Sequence, residues 1–348
     1  MTAAEGSFLG LAKQTAKGTP NTTDASFDYL LFREGQVGPQ NMVIPLDPEV
    51  GGGAMLRNMV KVGVTSGAQL SIIPRPETLG HFFYGVTGSV QTTDDVGGNY
   101  ATHVFKLGSD QFAAPYYTLR SAPGNMWGEQ FMDCRINTLA LQWRGASFVE
   151  GAASFLGGLP SVVSTAAWNA LSQVDAGPQF LSPIGDIELP TGTDVSVLSG
   201  SFIAQSAIPL DEQFVVGSYS PQALDIVSRS FALQLAIKIT DKNLYERMMF
   251  DPAQGGSWLA DVFREARIKL LFNSDQEADV GVPYSFQIEA NGQAGDDANI
   301  VWSAQQIAVR AQRQLVMAVT GMFTASPNPA NDPITLTLVN KRLAAQGY

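Results

Sequence analysis

The chain has 348 residues, of which 45% are hydrophobic and 15% are charged, and its formal net charge is −11. This length allows one or two domains with a large core, and the charged share lies below the roughly 25% of typical soluble proteins, so few charges are available for a fully solvated surface. The acidic balance disfavours tight binding to nucleic-acid phosphates, and a single cysteine, Cys134, excludes an internal disulfide and a cysteine-cluster metal site.

Residues 1–20 show no regular pattern and are predicted to form an N-terminal arm. The stretch lacks the basic start and apolar core of a secretory signal. No apolar run approaches the roughly 20 residues that span a bilayer, so we expect no membrane insertion by this chain. Residues 21–348 are predicted to form one domain.

Alternation of apolar and polar residues predicts strands over most of that domain, because successive side chains of a strand point to opposite faces. The clearest run is 231–240, where every second residue from Phe231 to Ile239 is apolar. The same period occurs at Val60, Val62 and Val64; at Leu139, Leu141 and Trp143; at Tyr284, Phe286 and Ile288; at Leu315, Met317 and Val319; and at Ile334, Leu336 and Leu338. After the last of these strands the fold is predicted to close, near Val339.

Segments without alternation are fewer. Residues 77–84 follow Pro-Arg-Pro and are predicted to be helical, and two more helical segments, 241–250 and 257–265, form a predicted short helical insertion at about 241–265. Between 147 and 192 the pattern gives way to Gly, Pro and Ala, which predicts a long loop or insertion. We therefore expect a mainly β protein with a short helix or two.

Signatures of catalysis and cofactor binding are missing from the sequence. It contains no GxSxG, GxxxxGK[ST], HExxH or CxxC motif. The two histidines, His81 and His103, have no closely spaced ligands and are interpreted as packing or surface residues. Cys134 is interpreted as an ordinary half-buried thiol, and the alternative is a catalytic Cys-His pair that uses it. We expect no enzyme activity, no metal and no cofactor.

Several short motifs occur in a characteristic order. They are AKQTAKGTP at 12–20, a hairpin around 60–73, PETLG at 76–80, HVF at 103–105, PYYTL at 115–119, CRINTL at 134–139 and DPITLTLVN at 332–340. In this order they resemble the tail tube proteins, or major tail proteins, of long-tailed bacteriophages. The resemblance covers most of the chain and is weakest at 147–192 and 242–265.

The resemblance implies a β-sandwich subunit that forms hexameric rings, in which inner sheets join into a barrel and stacked rings make a hollow tube. Such a tube conducts double-stranded DNA during ejection without binding it tightly, and the acidic balance predicts an acidic bore. The implied partners are further copies of the chain, a tape measure protein and a tail terminator, in a virion tail that assembles in the host cytoplasm. Contacts between rings are expected from the arm and a glycine loop, at Lys13, Gln14, Thr15, Lys17, Gly51, Gly52 and Gly53.

Two other classes of protein stay open. One is another structural part of a virion, such as a terminator, sheath, decoration or secretion-tube-like protein. The other is a carbohydrate-binding or hydrolytic β-sandwich. In that case Trp127, Trp143 or Trp168 would stack on sugar rings, and Asp186 and Glu188 would supply a carboxylate pair.

Overall fold

Antiparallel strands make up most of the computed structural model, which confirms the prediction of a mainly β protein. The structure describes residues 7–47, 55, 58–108, 110, 112–164, 177–189, 195–239, 246, 250–251, 257–258, 263–265, 267–291, 300–304, 307, 315–325 and 332–348. The strands are β1 (Phe8–Lys13), β2 (Asp28–Tyr29), β3 (Phe32–Leu46), β4 (Asn58–Ile72), β5 (Gly88–Asp94), β6 (Ala101–Leu107), β7 (Tyr117–Ala122), β8 (Gly128–Arg144), β9 (Glu150–Gly157), β10 (Pro160–Val163), β11 (Leu181–Glu188), β12 (Val197–Ala207), β13 (Ser228–Lys238), β14 (Phe250–Asp251), β15 (Ser257–Trp258), β16 (Phe263–Glu265), β17 (Arg267–Asp279), β18 (Val282–Asn291), β19 (Ile300–Ala304), β20 (Val316–Phe323) and β21 (Thr335–Asn340). Helix α1 spans Pro76–Thr87.

The larger sheet contains 13 strands of the described chain and branches at β8. The second half of β8 lies in a continuous path β16-β19-β20-β13-β12-β8-β9-β4-β3. The first half pairs instead with β10 on one edge and with β7 on the other, and β7 continues to β1 and β2. Asp133 lies between the two halves with φ 54°, a left-handed conformation that bends the strand.

The smaller sheet contains six described strands in the order β11-β17-β18-β21-β6-β5, and β14 pairs with β15 apart from both sheets. One hydrophobic core joins the two large sheets. Trp143 of β8 lies 5.0 Å from Phe272 of β17, measured between ring centroids. Phe83 of α1 lies 5.7 Å from Phe105 of β6 and 6.1 Å from Phe286 of β18. Helix α1 therefore packs into the same core as the sheets.

Helix α1 confirms the helix predicted over 77–84. It begins at Pro76, a residue that suits the first helical position, and it ends before Gly88, whose φ of 88° closes the helix in a left-handed conformation. Its buried apolar side chains are Leu79, Phe82, Phe83 and Val86. Burial of each such side chain stabilises the fold by roughly 1.5–3 kcal/mol.

The strands predicted from alternation are confirmed in β4, β8, β13, β18, β20 and β21. In β13 the side chains of Phe231, Leu233 and Leu235 are buried while Gln234 between them is exposed. The exception concerns Val60 and Val62 of β4, which are exposed although their period predicted a buried face.

The N-terminal region differs from the predicted arm over 1–20. Residues 8–13 form β1, which pairs along its whole length with β7 inside the larger sheet. Leu9, Leu11 and Ala12 are buried. This part of the chain is therefore a component of the sheet, and the prediction of an arm is corrected there.

The predicted loop or insertion over 147–192 is corrected as well, because it contains β9, β10 and β11. Strand β9 lies inside the larger sheet, between β4 and β8. Its inward side chains alternate as in any half-buried strand, but they include Gly151 and Ala153, which carry little apolar signal in the sequence. Residues 165–176 and 190–192 lie outside the described residues.

The predicted helical insertion at 241–265 is corrected where the structure describes it. Glu246 is helical, but residues 250–251, 257–258 and 263–265 are in strands β14, β15 and β16. The other residues of the segment lie outside the described residues.

The prediction that the fold closes near Val339 is also wrong. Residues 341–348 fold back against the molecule, and the side chain of Tyr348 is buried. The C-terminal segment therefore contributes to the core.

Candidate functional site

A two-stranded extension at one end of the larger sheet is the candidate interaction surface. Strands β3 and β4 form a hairpin whose register runs from Phe32 opposite Ile72 to Leu46 opposite Asn58. Near the body of the molecule β4 also pairs with β9, from Ser66 to Ile72. Beyond that point the described hairpin continues with no other strand beside it. We call residues 39–46 and 58–62 the hairpin arm.

Both faces of the hairpin arm carry exposed apolar side chains. Exposed fractions are 41% for Met42, 54% for Ile44, 48% for Leu46 and 42% for Val60 on one face, and 46% for Val43 and 59% for Met59 on the other. The assignment to faces follows from the register, in which Ile44 lies opposite Val60 and Val43 lies opposite Lys61. An exposed ribbon of this kind is typical of a surface that another molecule covers.

Sequence reasoning missed β3 and with it half of the hairpin arm. The available signal was the run Met-Val-Ile-Pro-Leu at 42–46, which is apolar at consecutive positions and therefore lacks the alternation of a half-buried strand. A strand with two apolar faces is expected where both faces are covered.

The outer side of the larger sheet, which we call the polar face, carries uncharged side chains in rows across the strands. One row runs through Thr320 of β20, Gln234 of β13, Ser201 of β12 and Gln142 of β8, which are neighbours by register. A second row includes Ala232, Ile203, Ala140 and Ala152. The opposite sides of these strands are buried in the core.

Charged side chains on the polar face carry both signs. Glu34, Arg144, Glu150 and Lys238 alternate with the inward residues of β3, β8, β9 and β13. Glu150 forms an ion pair with Arg33 at 2.7 Å. The described charges of this face therefore nearly cancel, although the whole chain is acidic.

The predicted contact residues near the N-terminus are placed in different environments. Lys13, Thr15 and Lys17 are exposed, whereas Gln14 is buried, with its side-chain amide 3.0 Å from Thr118 Oγ1. Lys13 Nζ donates a hydrogen bond of 2.7 Å to the main-chain oxygen of Tyr348. Gln14 and Lys13 thus contact residues of their own subunit.

The other three predicted contact residues, Gly51, Gly52 and Gly53, lie outside the described residues, and so does most of the stretch that links β3 to β4. In the sequence they lie between β3 and β4. The prediction that this loop contacts a neighbouring ring stays a prediction.

A buried polar cluster holds the C-terminal segment in place. Asp28 Oδ2 accepts hydrogen bonds from His81 Nε2 at 2.6 Å and from Arg342 Nη1 at 2.7 Å. The ring of Tyr348 lies edge-on to the rings of His81 and His103, with centroid distances of 5.1 and 4.8 Å. The cluster connects β2, α1, β6 and the C-terminal segment.

Burial and neighbouring charges shift the pKa values in this cluster. Burial lowers the pKa of His81, and the positive charge of Arg342 adds to the shift despite the hydrogen bond with Asp28. Burial alone would raise the pKa of Asp28, but the hydrogen bond from His81 and the charge of Arg342 bring it below its ordinary value. We infer that His81 is neutral at pH 7 and that Asp28 is ionised.

The residues with potential chemistry are engaged in packing. His103 lies in β6 with Nε2 2.9 Å from Asn340 Oδ1 and Nδ1 2.8 Å from Thr92 Oγ1, so both ring nitrogens have hydrogen-bond partners. Cys134 is fully buried and not half-buried, and burial raises the pKa of its thiol. Within the described part of the chain no three His, Cys, Asp or Glu side chains form a metal-binding group.

The residues considered for sugar binding are dispersed. Trp143 is buried against Phe272, Trp127 is exposed, and Trp168 lies outside the described residues. Lys269 Nζ lies 2.8 Å from Glu188 and 3.8 Å from Asp186, so the carboxylate pair is engaged with a lysine. Within the described part of the chain, Trp127, Trp143 and the carboxylate pair are not brought together in one pocket.

A search of the described helices finds none with the length and apolar character needed to cross a membrane. Comparison with models of known protein families gives no match, and comparison with curated proteins gives none either. Inferences about function therefore depend on the surfaces described above.

Proposed function

We propose that this chain is the tube subunit of a long-tailed bacteriophage, a structural protein of the virion that assembles into stacked hexameric rings. The observation that carries the proposal is the hairpin arm, with exposed apolar side chains on both faces of a ribbon that extends from a large sheet. An exposed apolar surface of this kind marks a site that other molecules cover. In this proposal the covering molecules are other copies of the chain.

The two antiparallel sheets are the layers of a β-sandwich in this proposal. The described path of the larger sheet ends in β3 on one side and in β16 on the other, so identical subunits placed edge to edge would extend it into a closed barrel. Ring closure would pair the edge of β16 with the part of β3 that precedes the hairpin arm. The implied partners in the virion are a tape measure protein and a tail terminator.

The polar face supports a role as the wall of the bore. Uncharged side chains such as Ser201 and Gln234 offer no cation to hold a phosphate. The near balance of charge on this face replaces the expectation of an acidic bore with that of a nearly neutral one. Double-stranded DNA would pass through it without tight binding.

Electron cryomicroscopy of concentrated protein tests the proposal. The expected result is a hollow tube of uniform width, built from rings of six subunits, with the polar face toward the bore. Discrete rings that do not stack would favour a tail terminator, and protein that stays monomeric at high concentration would contradict self-assembly.

A further inference from the structure

We propose that each hairpin arm is inserted between two neighbouring copies of the chain, so that a different copy covers each of its faces. The inference deepens the proposed function and rests on it. It specifies that the arm contacts one neighbouring copy through one face and a second copy through the other.

The first argument comes from the two faces of the arm. An antiparallel ribbon that lies on a single surface buries one face and leaves the other in water, which selects alternating apolar and polar residues. Here Ile44 on one face is 54% exposed and Met59 on the other is 59% exposed. Because each face carries exposed apolar side chains, one flat partner would leave a row of them in water.

The second argument comes from the edge of the arm. Proline has no N–H to donate, and in a sheet it lies where its nitrogen faces away from the neighbouring strand. Pro39 and Pro45 lie in β3 opposite Ser66 and Met59 of β4. Their nitrogens therefore face the open edge, which lacks donors at these two positions. Addition of a further strand along the arm is disfavoured, and contact through the faces is favoured.

The third argument concerns the identity of the neighbours. Lys61 is the one charged residue of the hairpin arm, and the chain that carries it has a net charge of −11. A single lysine among apolar side chains is too little positive charge for nucleic acid, but its charge is opposite in sign to the net charge of another copy. A second and a third copy of the chain are therefore the occupants that we assign to the two faces.

Photo-crosslinking in assembled protein provides the test. A benzophenone amino acid is placed at Ile44 in one sample and at Val43 in another, and each is mixed with 15N-labelled chains so that intermolecular products are recognised by mass. The expected result is that both positions crosslink to other copies, but to different regions of the neighbouring chain. Crosslinks from both positions to the same region, or from only one position, would overturn the inference.

Matched substitutions give a second readout. Ile44→Ser with Val60→Ser alters one face, Val43→Ser with Met59→Ser alters the other, and Val96→Ser removes a fully exposed valine from a distant turn as a control. Each face variant is expected to shorten tubes at least about tenfold with an unchanged thermal unfolding midpoint, and the control is expected to grow normally. Normal growth of either face variant would contradict the inference.

The two levels of the proposal fail differently. Wild-type protein that forms no assembly in electron micrographs contradicts the proposed function. Tubes that grow normally when one face of the arm has been altered contradict only the insertion of the arm between two copies.

Discussion

A β-carbon placed on Gly80 of helix α1 would lie 2.1 Å from the ring of Tyr348. The tyrosine closes over the helix because residue 80 has no side chain at that point. Tyr348 also accepts a hydrogen bond from Lys13 through its main-chain oxygen, so this contact links β1, α1 and the C-terminal segment.

We predict that Gly80→Ala destabilises the protein, because the added methyl group displaces the tyrosine ring. Overpacking of this kind costs about 1–3 kcal/mol, more than the roughly 1 kcal/mol that alanine gains over glycine in a helix. Urea denaturation measures the change. Gly38→Ala is the control, since a β-carbon there meets nothing within 4 Å, and a loss of equal size in both variants would contradict the prediction.

The stability of the subunit should fall as the pH drops below about 6.5, the ordinary pKa of histidine. The pKa of His81 is lower in the folded state, so the unfolded chain binds more protons in this range and gains stability relative to the fold. A proton on Nδ1 of His81 would also find no acceptor among the described residues. The slope is expected to reach up to about 1.4 kcal/mol per pH unit for this group.

The matched variant is His81→Gln, whose side-chain amide can still donate to Asp28. Its free energy of unfolding, measured in urea between pH 7 and pH 5, should depend on pH less steeply than that of the wild type. The variant His103→Gln measures the contribution of the second histidine to the pH dependence. Burial lowers the pKa of that histidine as well. An unchanged slope in His81→Gln would contradict the assignment.

Removal of β1 should unfold the subunit, whereas removal of a free arm would leave the stability of the fold unchanged. Leu11 is fully buried, and Leu11→Ala is expected to lower the free energy of unfolding by about 2–5 kcal/mol. Leu31→Ala serves as the control because that leucine is 44% exposed. Equal stability of the two variants in urea denaturation would show that β1 is not part of the folded core.

Cys134 should resist thiol reagents in the folded protein. Its sulfur is buried, and burial raises the pKa of the thiol and so suppresses the reactive thiolate. Ellman's reagent at pH 8 is expected to detect about one thiol only after unfolding. Met126→Cys adds a cysteine at an exposed position as a positive control, and rapid reaction of the wild type would contradict the burial.

A charged substitution on the polar face distinguishes between two roles of that face, which are to line the bore and to contact another subunit. Gln234→Lys should change stability by no more than about 0.5 kcal/mol, since the side chain is exposed and its neighbours Ser201 and Thr320 are uncharged. If this face lines the bore, tubes still grow and DNA leaves reconstituted virions more slowly than with Gln234→Glu. Loss of tube growth in both variants would instead place the face between subunits.

Large alternating side chains made much of the fold predictable from sequence. In β13 the inward positions from Phe231 to Ile237 carry Phe, Leu or Ile, and in β21 Leu336 and Leu338 do, so the period is visible without a structure. Strand β9 was missed because glycine and alanine occupy two of its inward positions. The apolar signal of a strand depends on the size of its side chains, but its burial depends on the space that its neighbours leave.

The candidate surface was less accessible to prediction. The period at Val60 and Val62 correctly indicated a strand, but the sequence cannot show that β4 extends past its neighbour β9 into solvent. The role of Tyr348 depends on a contact with Gly80, which lies 268 positions earlier in the chain. Such contacts arise from the path of the chain between them.

The pairing of β4 also determines how the subunit would carry a mechanical load. A pull on the hairpin arm along its strands acts parallel to β4, which pairs with β9 at every position from Ser66 to Ile72. The backbone hydrogen bonds of an antiparallel pair lie across the strands, so such a pull loads them together in shear. Strand β9 passes the force to β8, which reaches both halves of the larger sheet. A tube joined by these arms would therefore resist stretching along the direction of the arm far better than peeling away from it.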